Sequence, residues 1–193
     1  MSSKSEKRQR ILDAALHVFA QKGFYNTKVS EIAREAGVAD GTIYNYFKSK
    51  DDILILLFED RMDWILERLE TELQGDVESQ IRTYISLHLG IAEIAPDLAE
   101  FITVELRQSD KFLRDYANEK FVNYLRILTA LIQRGQSEGV IRLDVDAKLT
   151  ARAIFGALDE LLMTLTLEGK LRSIVVPQTA KQVADLFWAG LRM

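Results

Sequence analysis

Only two prolines, Pro96 and Pro177, punctuate this chain of 193 residues. Proline ends or kinks helices because it lacks a backbone N–H and clashes with the preceding turn. Its scarcity leaves long uninterrupted stretches, and these carry apolar residues at helical spacing. Ile11, Leu12, Ala15, Leu16 and Phe19 make one helical face, closed by Gly23. Val29, Ile32, Ala33 and Ala36 make a second, shorter stripe that ends at Gly37, with Thr27 placed to N-cap it. After Gly37-Val38-Ala39, Asp40 is placed to cap a third helix holding Ile43, Tyr44 and Phe47. Two short helices around a tight glycine-containing turn read as a helix-turn-helix.

A long fourth helix is expected from Ser49 or Lys50 to about Leu73, with Asp51 and Asp52 favouring the dipole of its first turn. At 1.5 Å per residue it spans roughly 35 Å. Further helices are expected at about 77–94, 97–107, 110–137, 146–168 and 178–191, divided by Pro96, Ser109-Asp110, Gly139, Gly169 and Pro177. Val140-Ile141-Arg142-Leu143 reads as a connector. The fold class is all-α, with a helix-turn-helix head in residues 1–50 and a helical body in 51–193.

Charge divides along the same line. Residues 1–50 carry nine Lys or Arg against five acids, while the remainder has 16 basic and 24 acidic groups. A basic head on an acidic body points to a polyanion at one end only. Chance clustering of surface charge is the plainer alternative.

Composition removes several classes. The chain has no cysteine, which excludes disulfides, thiolate zinc sites and a cysteine nucleophile. No apolar stretch is long enough to span a membrane, and Met1–Arg10 is polar throughout, so a cytoplasmic protein is expected. His17 and His88 are far apart in sequence. His88, between Leu87 and Leu89, reads as packed or hydrogen-bonded, with no metal and no cofactor expected.

The stretch FYNTKVSEIAREAGVADGTIYNYFKSK, residues 24–50, resembles the DNA-binding head of the TetR family of bacterial transcriptional regulators. The resemblance runs from Ile11-Leu12-Asp13-Ala14-Ala15 to Lys50-Asp51-Asp52-Ile53-Leu54 and includes Ala36-Gly37-Val38 and Gly41-Thr42-Ile43-Tyr44. The residues agree with it on physical grounds. Gly41 lets the third helix approach DNA closely. Thr42, Tyr44 and Tyr46 offer hydroxyls, and the Thr42 methyl suits a thymine. Thr27 and Lys28, and Lys48 and Lys50, flank helix starts that favour phosphate. Asn45 completes the DNA-contact set, and Asp40 is assigned to capping. Packing is the alternative for Tyr46.

Val104-Glu105-Leu106-Arg107-Gln108-Ser109, Tyr124-Leu125-Arg126-Ile127-Leu128 and Ile154-Phe155-Gly156-Ala157-Leu158-Asp159-Glu160 look like stretches of the FadR-like branch of that family. Regulators of that branch repress fatty-acid degradation genes and release operator DNA on binding long-chain acyl-coenzyme A. The resemblance implies an apolar tube in the body, for which Phe58, Met62, Ile65, Tyr84, Leu87, Ile91, Phe101, Phe121, Tyr124 and Leu128 are candidates. Arg107 is the candidate cation at its mouth, with a structural ion pair as the equal alternative. Composition alone does not separate a lined tube from a filled core.

Between Ala153 and Leu158 no charge falls on any face, and the last helix is also too apolar for one buried stripe. Together with the resemblance this implies a homodimer. Its interface would be built from Ile154, Gly156, Ala157, Leu158, Leu161, Leu165, Phe187 and Leu191. Two terminal helices covering a monomer's core are the alternative.

The expected function is therefore a homodimeric, ligand-released repressor bound to double-stranded operator DNA. A different hydrophobic effector is the first alternative. A small helical enzyme is the second, resting on Glu100, Glu105, Asp159 and Glu160, but no nucleophile set, metal spacing or phosphate loop supports it. An architectural DNA-binding protein is disfavoured by the acidic body.

Overall fold

The computed structural model describes residues 3–105, 119–167 and 172–193, and these are helical with no strand. Nine α-helices are present among the described residues: α1 (Ser3–Lys22), α2 (Val29–Glu35), α3 (Asp40–Ile43), α4 (Lys50–Glu72), α5 (Val77–Ile94), α6 (Pro96–Glu100), α7 (Glu119–Ser137), α8 (Ala147–Leu167) and α9 (Arg172–Leu191). The expected breaks at Gly23, Gly37, Gly75 and Gly139 all take positive φ, between 64° and 91°, the backbone region where only glycine is unstrained. Pro96 opens α6, where a missing N–H costs nothing.

Four local expectations need correction. Thr27 does not cap α2: the cap position is Lys28, whose backbone N–H donates to Glu31 Oε2 at 2.9 Å. Asp40 is the first residue of α3, and the cap position is Ala39 with no side-chain bond. Pro177 does not separate helices but lies inside α9, near its N-terminus. There it costs one main-chain hydrogen bond, and the apolar packing of Val176 and Ala180 on either side keeps the helix together. The segment after Pro96 also differs from a plain helix. α6 passes into a wider π-helical turn, Phe101–Glu105, where Thr103 Oγ1 donates to the Ala99 carbonyl at 2.7 Å. The expected boundaries at Ser109-Asp110 and Gly169 lie outside the described residues.

The chain forms two compact units. One holds the described residues of Met1–Met62 and Asp97–Tyr116; the other holds those of Asp63–Pro96 and Ala117–Met193. In the first, α1 packs on α2 and on the π-helical turn, and α2 packs on α3. Its core is Ile11, Leu12, Ala15, Phe19, Ile32, Ile43 and Phe47, with Phe101 stacked 6.4 Å from Phe19. His17 Nδ1 and Asp97 Oδ2, 2.9 Å apart, join α1 to α6, and that hydrogen bond raises the imidazole pKa. In the second unit α9 runs along α5, and α8 packs against both α5 and α7. Arg82 on α5 ties the pair together, donating to Glu78 at 2.8 Å and to Asp185 of α9 at 2.6 Å.

The connector after α7 is held at both ends of the chain's last turn. Ile141 makes an isolated bridge with Arg192, Arg142 N–H donates to the Leu191 carbonyl at 2.9 Å, and Met193 N–H donates to the Val140 carbonyl at 3.2 Å. Ile141 is fully buried over Gly135, where a Cβ would lie 2.5 Å from Ile141 Cδ1.

Candidate functional site

The helix-turn-helix is stitched to the start of α4 by one side chain. Lys50 Nζ donates to the carbonyls of Phe24 at 2.6 Å, Thr27 at 2.9 Å and Tyr25 at 3.2 Å, and it lies 4.6 Å from the centre of the Phe24 ring. Partial burial lowers its pKa. Lys50 was expected at a phosphate, and its three donors are instead spent on the turn before α2. Thr27 is similar: it is 3% exposed, and its hydroxyl donates to the Gly23 carbonyl at 2.8 Å. Both residues shape the turn from beneath.

The surface of the head is supplied by others. Tyr44 is 61% exposed at the end of α3, and Lys28, Asn45 and Lys48 are also exposed. Gly41 is exposed, and a Cβ there would meet nothing within 4 Å, so the α3 backbone is open to approach. Thr42 and Tyr46 are half-buried, the latter ring 6.3 Å from Phe47. Tyr25, in the turn before α2, is 62% exposed, with its ring edge-on to that of Phe24 at 5.6 Å. At α4, the Lys48 N–H donates to Asp52 at 2.8 Å and the Asp52 N–H donates to Ser49 Oγ at 3.1 Å, which fixes the helix start.

In the second unit a narrow crevice admits little more than a water molecule. It is lined by Trp64, Ile65, Arg68, Leu69, Leu87, His88, Ile91 and Tyr124. Ile65, Leu87, Ile91 and Tyr124 were among the expected ligand residues. The others are placed differently: Tyr84 and Leu128 are buried in the same unit, while Phe58, Met62 and Phe101 are buried in the first. Phe121 packs edge-on to Phe155, 5.1 Å between centroids. Arg107 lies outside the described residues. Sequence reasoning missed Trp64 and His88 as lining groups, while Arg68 was one of the basic residues considered for the mouth of the tube. Trp64 and Arg68 stand one helical turn apart on α4, with the guanidinium 5.3 Å from the ring and bonded to Glu72 at 2.6 Å.

His88 is 5% exposed and holds a hydrogen bond to Tyr124, with Nδ1 2.5 Å from the hydroxyl. Burial lowers the imidazole pKa to about 4, while desolvation chiefly raises both tyrosine pKa values. No group of three or more potential metal ligands is present among the described residues.

The expected interface residues fall into two sets. Ile154, Leu158, Leu165 and Leu191 are buried within the chain itself and so belong to its own core. Gly156 is exposed, and Ala157, Leu161 and Phe187 are half-exposed. Leu149, Leu167 and Leu186 add large exposed apolar groups on α8 and α9, between 65% and 71% exposed.

Residues 11–57 match the profile of bacterial regulatory proteins of the tetR family, and 58–190 match that of the YsiA-like protein C-terminal region. The fatty acid metabolism regulator protein of Bacillus subtilis (strain 168) is 36% identical over 99% of this chain and 98% of its own. The chain belongs to the TetR family. Among solved structures, the transcriptional regulator FadR from Bacillus subtilis in complex with stearoyl-CoA superposes with a TM-score of 0.87 at 36% identity. That match covers 94% of this chain and 98% of the other. The fatty acid degradation regulator FadR from Bacillus halodurans gives 0.88 at 34% identity, covering 96% of each. As a TetR-family regulator, the protein carries its helix-turn-helix in α2 and α3 and an effector-type helical region after it. No helix among the described residues is long and apolar enough to cross a membrane.

Proposed function

We propose that this protein is a homodimeric, cytoplasmic repressor of fatty-acid degradation genes that releases its operator when long-chain acyl-coenzyme A binds the helical body. It performs no catalysis. The observation that carries the reading is likeness along nearly the whole chain, body included, to a regulator crystallised with stearoyl-CoA. The head alone is common to many regulators with different effectors.

Each half of the mechanism has its residues. Tyr44 and Asn45 read base edges, the open backbone at Gly41 allows close approach, and Lys28 and Lys48 meet phosphates. Thr27 and Lys50 act beneath that surface by holding the turn before α2. Two copies of the head would engage half-sites separated by roughly one or more DNA turns, about 34–36 Å each. α4 contributes residues up to Met62 to the first unit and from Asp63 to the second, including Ile65, Arg68 and Leu69 of the crevice. An acyl chain entering a crevice this narrow must displace its walls, and α4 is the helix that has residues both in those walls and in the first unit. Release requires that the ligand bind the DNA-incompetent arrangement better.

The test is operator binding with a duplex selected by the protein itself from random DNA. Stearoyl-CoA should raise the operator Kd by roughly 5- to 150-fold, the usual range of allosteric coupling, and free coenzyme A should leave it unchanged. No release by acyl-coenzyme A of any chain length would remove the effector assignment and leave a TetR-family regulator with a different ligand.

A further inference from the structure

We infer that His88 is the polar recognition group of the crevice, donating a hydrogen bond from Nε2 to the carbonyl oxygen of an acyl thioester. The inference rests on the effector reading above and adds the residue that distinguishes a thioester from other long-chain molecules. His88 stands on α5 among Tyr84, Tyr124 and Phe155, with the Phe155 ring edge-on at 5.8 Å. One ring nitrogen is committed: Nδ1 meets the Tyr124 hydroxyl at 2.5 Å. The other, Nε2, is buried and has no hydrogen-bond partner among the described residues. His88 is also a wall of the crevice, together with Leu87 and Ile91 of α5 and Trp64, Ile65 and Leu69 of α4.

The Tyr124 hydroxyl decides what Nε2 can offer. A buried phenol needs an acceptor for its proton; the Tyr84 hydroxyl also lies beside it, but at 2.5 Å Nδ1 is the close partner, and we assign the proton to that contact. An imidazole that accepts at Nδ1 and stays neutral carries its hydrogen on Nε2. The Tyr84 hydroxyl, donating to the Tyr124 carbonyl at 3.3 Å, holds the helix turn that carries the phenol. The result is a neutral N–H donor in a lining that is apolar apart from the paired Arg68 and the Tyr124 phenol. Leaving such a donor unmet is unfavourable, so a ligand that supplies an acceptor gains by it. Because the imidazole is uncharged, it suits an uncharged carbonyl rather than a carboxylate, whose burial would need a free cation, and Arg68, the one cation among the described lining residues, is already paired with Glu72 at 2.6 Å. The site thereby favours the thioester over the free fatty acid.

The experiment compares stearoyl-CoA with its S-octadecyl thioether, which has the same chain and coenzyme but no carbonyl. Binding is followed by tryptophan fluorescence in full-length protein carrying Trp188→Phe, which leaves Trp64 as the single reporter. The wild type should bind the thioester about tenfold more tightly than the thioether, the scale of one buried hydrogen bond. His88→Leu should bind the two equally and hold the thioether as the wild type does. His88→Gln, whose amide can donate from a similar position, should retain much of the preference. If His88→Leu keeps the wild-type preference, His88 holds only a structural water and the inference falls. If the wild type binds neither compound, the effector reading itself is wrong and takes this inference with it. Should His88→Leu fail to fold, 15N spectra of the wild-type imidazole decide: Nε2 should shift with stearoyl-CoA and not with the thioether. An unmoved resonance overturns the assignment.

Discussion

Lys50 shows how one side chain can look like a ligand contact and act as a brace. In sequence it is a cation at a helix start beside a DNA-binding motif, and phosphate is the natural partner. In the fold its ammonium fills three carbonyls of the turn before α2. Lys50→Ala should therefore lower stability by about 1–2 kcal/mol in denaturant titration. It should also leave the salt dependence of operator binding unchanged, since no counterion-releasing contact is lost. Unchanged stability with a shallower salt slope would return Lys50 to the DNA. His88 makes the second prediction at this scale. Its pKa, held near 4 by burial, returns to about 6.5 on unfolding, so the unfolded chain binds the extra proton between those values. Stability falls as pH drops through that window, by about 3 kcal/mol in all. His17 acts in the opposite sense. Its raised pKa gives a contribution that is full below 6.5 and lost as pH rises through the folded value. Thermal melts from pH 6.5 to 4 should show a decline that His88→Leu flattens; equal slopes would place the acid sensitivity elsewhere.

At the scale of elements, the positions of α1, α2, α4, α5, α7 and α8 were legible because each carries an apolar stripe bounded by glycine or polar residues. The exceptions share a physical origin. Thr27 and Asp40 have the chemistry of N-caps, but backbone geometry put Lys28 and Ala39 at the cap positions, and tertiary bonds claimed the Thr27 hydroxyl. Pro177 is a helix breaker by local rule, yet apolar packing keeps it within α9. The head's exposed contacts were legible by motif. The crevice was legible only in part: a stripe of buried apolar residues looks the same whether it fills a core or lines a gap. Tertiary packing put Ile65, Leu87, Ile91 and Tyr124 along the gap of the second unit and buried Phe58, Met62 and Phe101 in the first. Gly135 was not singled out at all, because the close approach of Ile141 is set by a distant contact. Gly135→Ala places a methyl against Ile141 and Val77, both essentially buried, and should destabilise by about 1–3 kcal/mol in denaturant melts. A neutral effect would mean that the connector yields.

The whole molecule must couple two events, operator binding and effector binding, and must do so as a dimer under the proposed function. Gly156 is exposed on α8, and a Cβ there would meet nothing within 4 Å beyond its own helical turn. Gly156→Arg should accordingly fold as a protomer but sediment as a monomer, because a charge would be buried unpaired between chains. Operator affinity should collapse with it; an intact dimer with full affinity would move the interface elsewhere. Coupling itself has a thermodynamic signature that needs no knowledge of the path. If stearoyl-CoA weakens operator binding by some factor, operator must weaken stearoyl-CoA binding by the same factor. The most direct test is the Kd of stearoyl-CoA measured with and without saturating operator duplex. The expected result is a higher Kd in the presence of DNA, by the factor seen in the reverse titration. An identical Kd in both cases would contradict ligand-driven release.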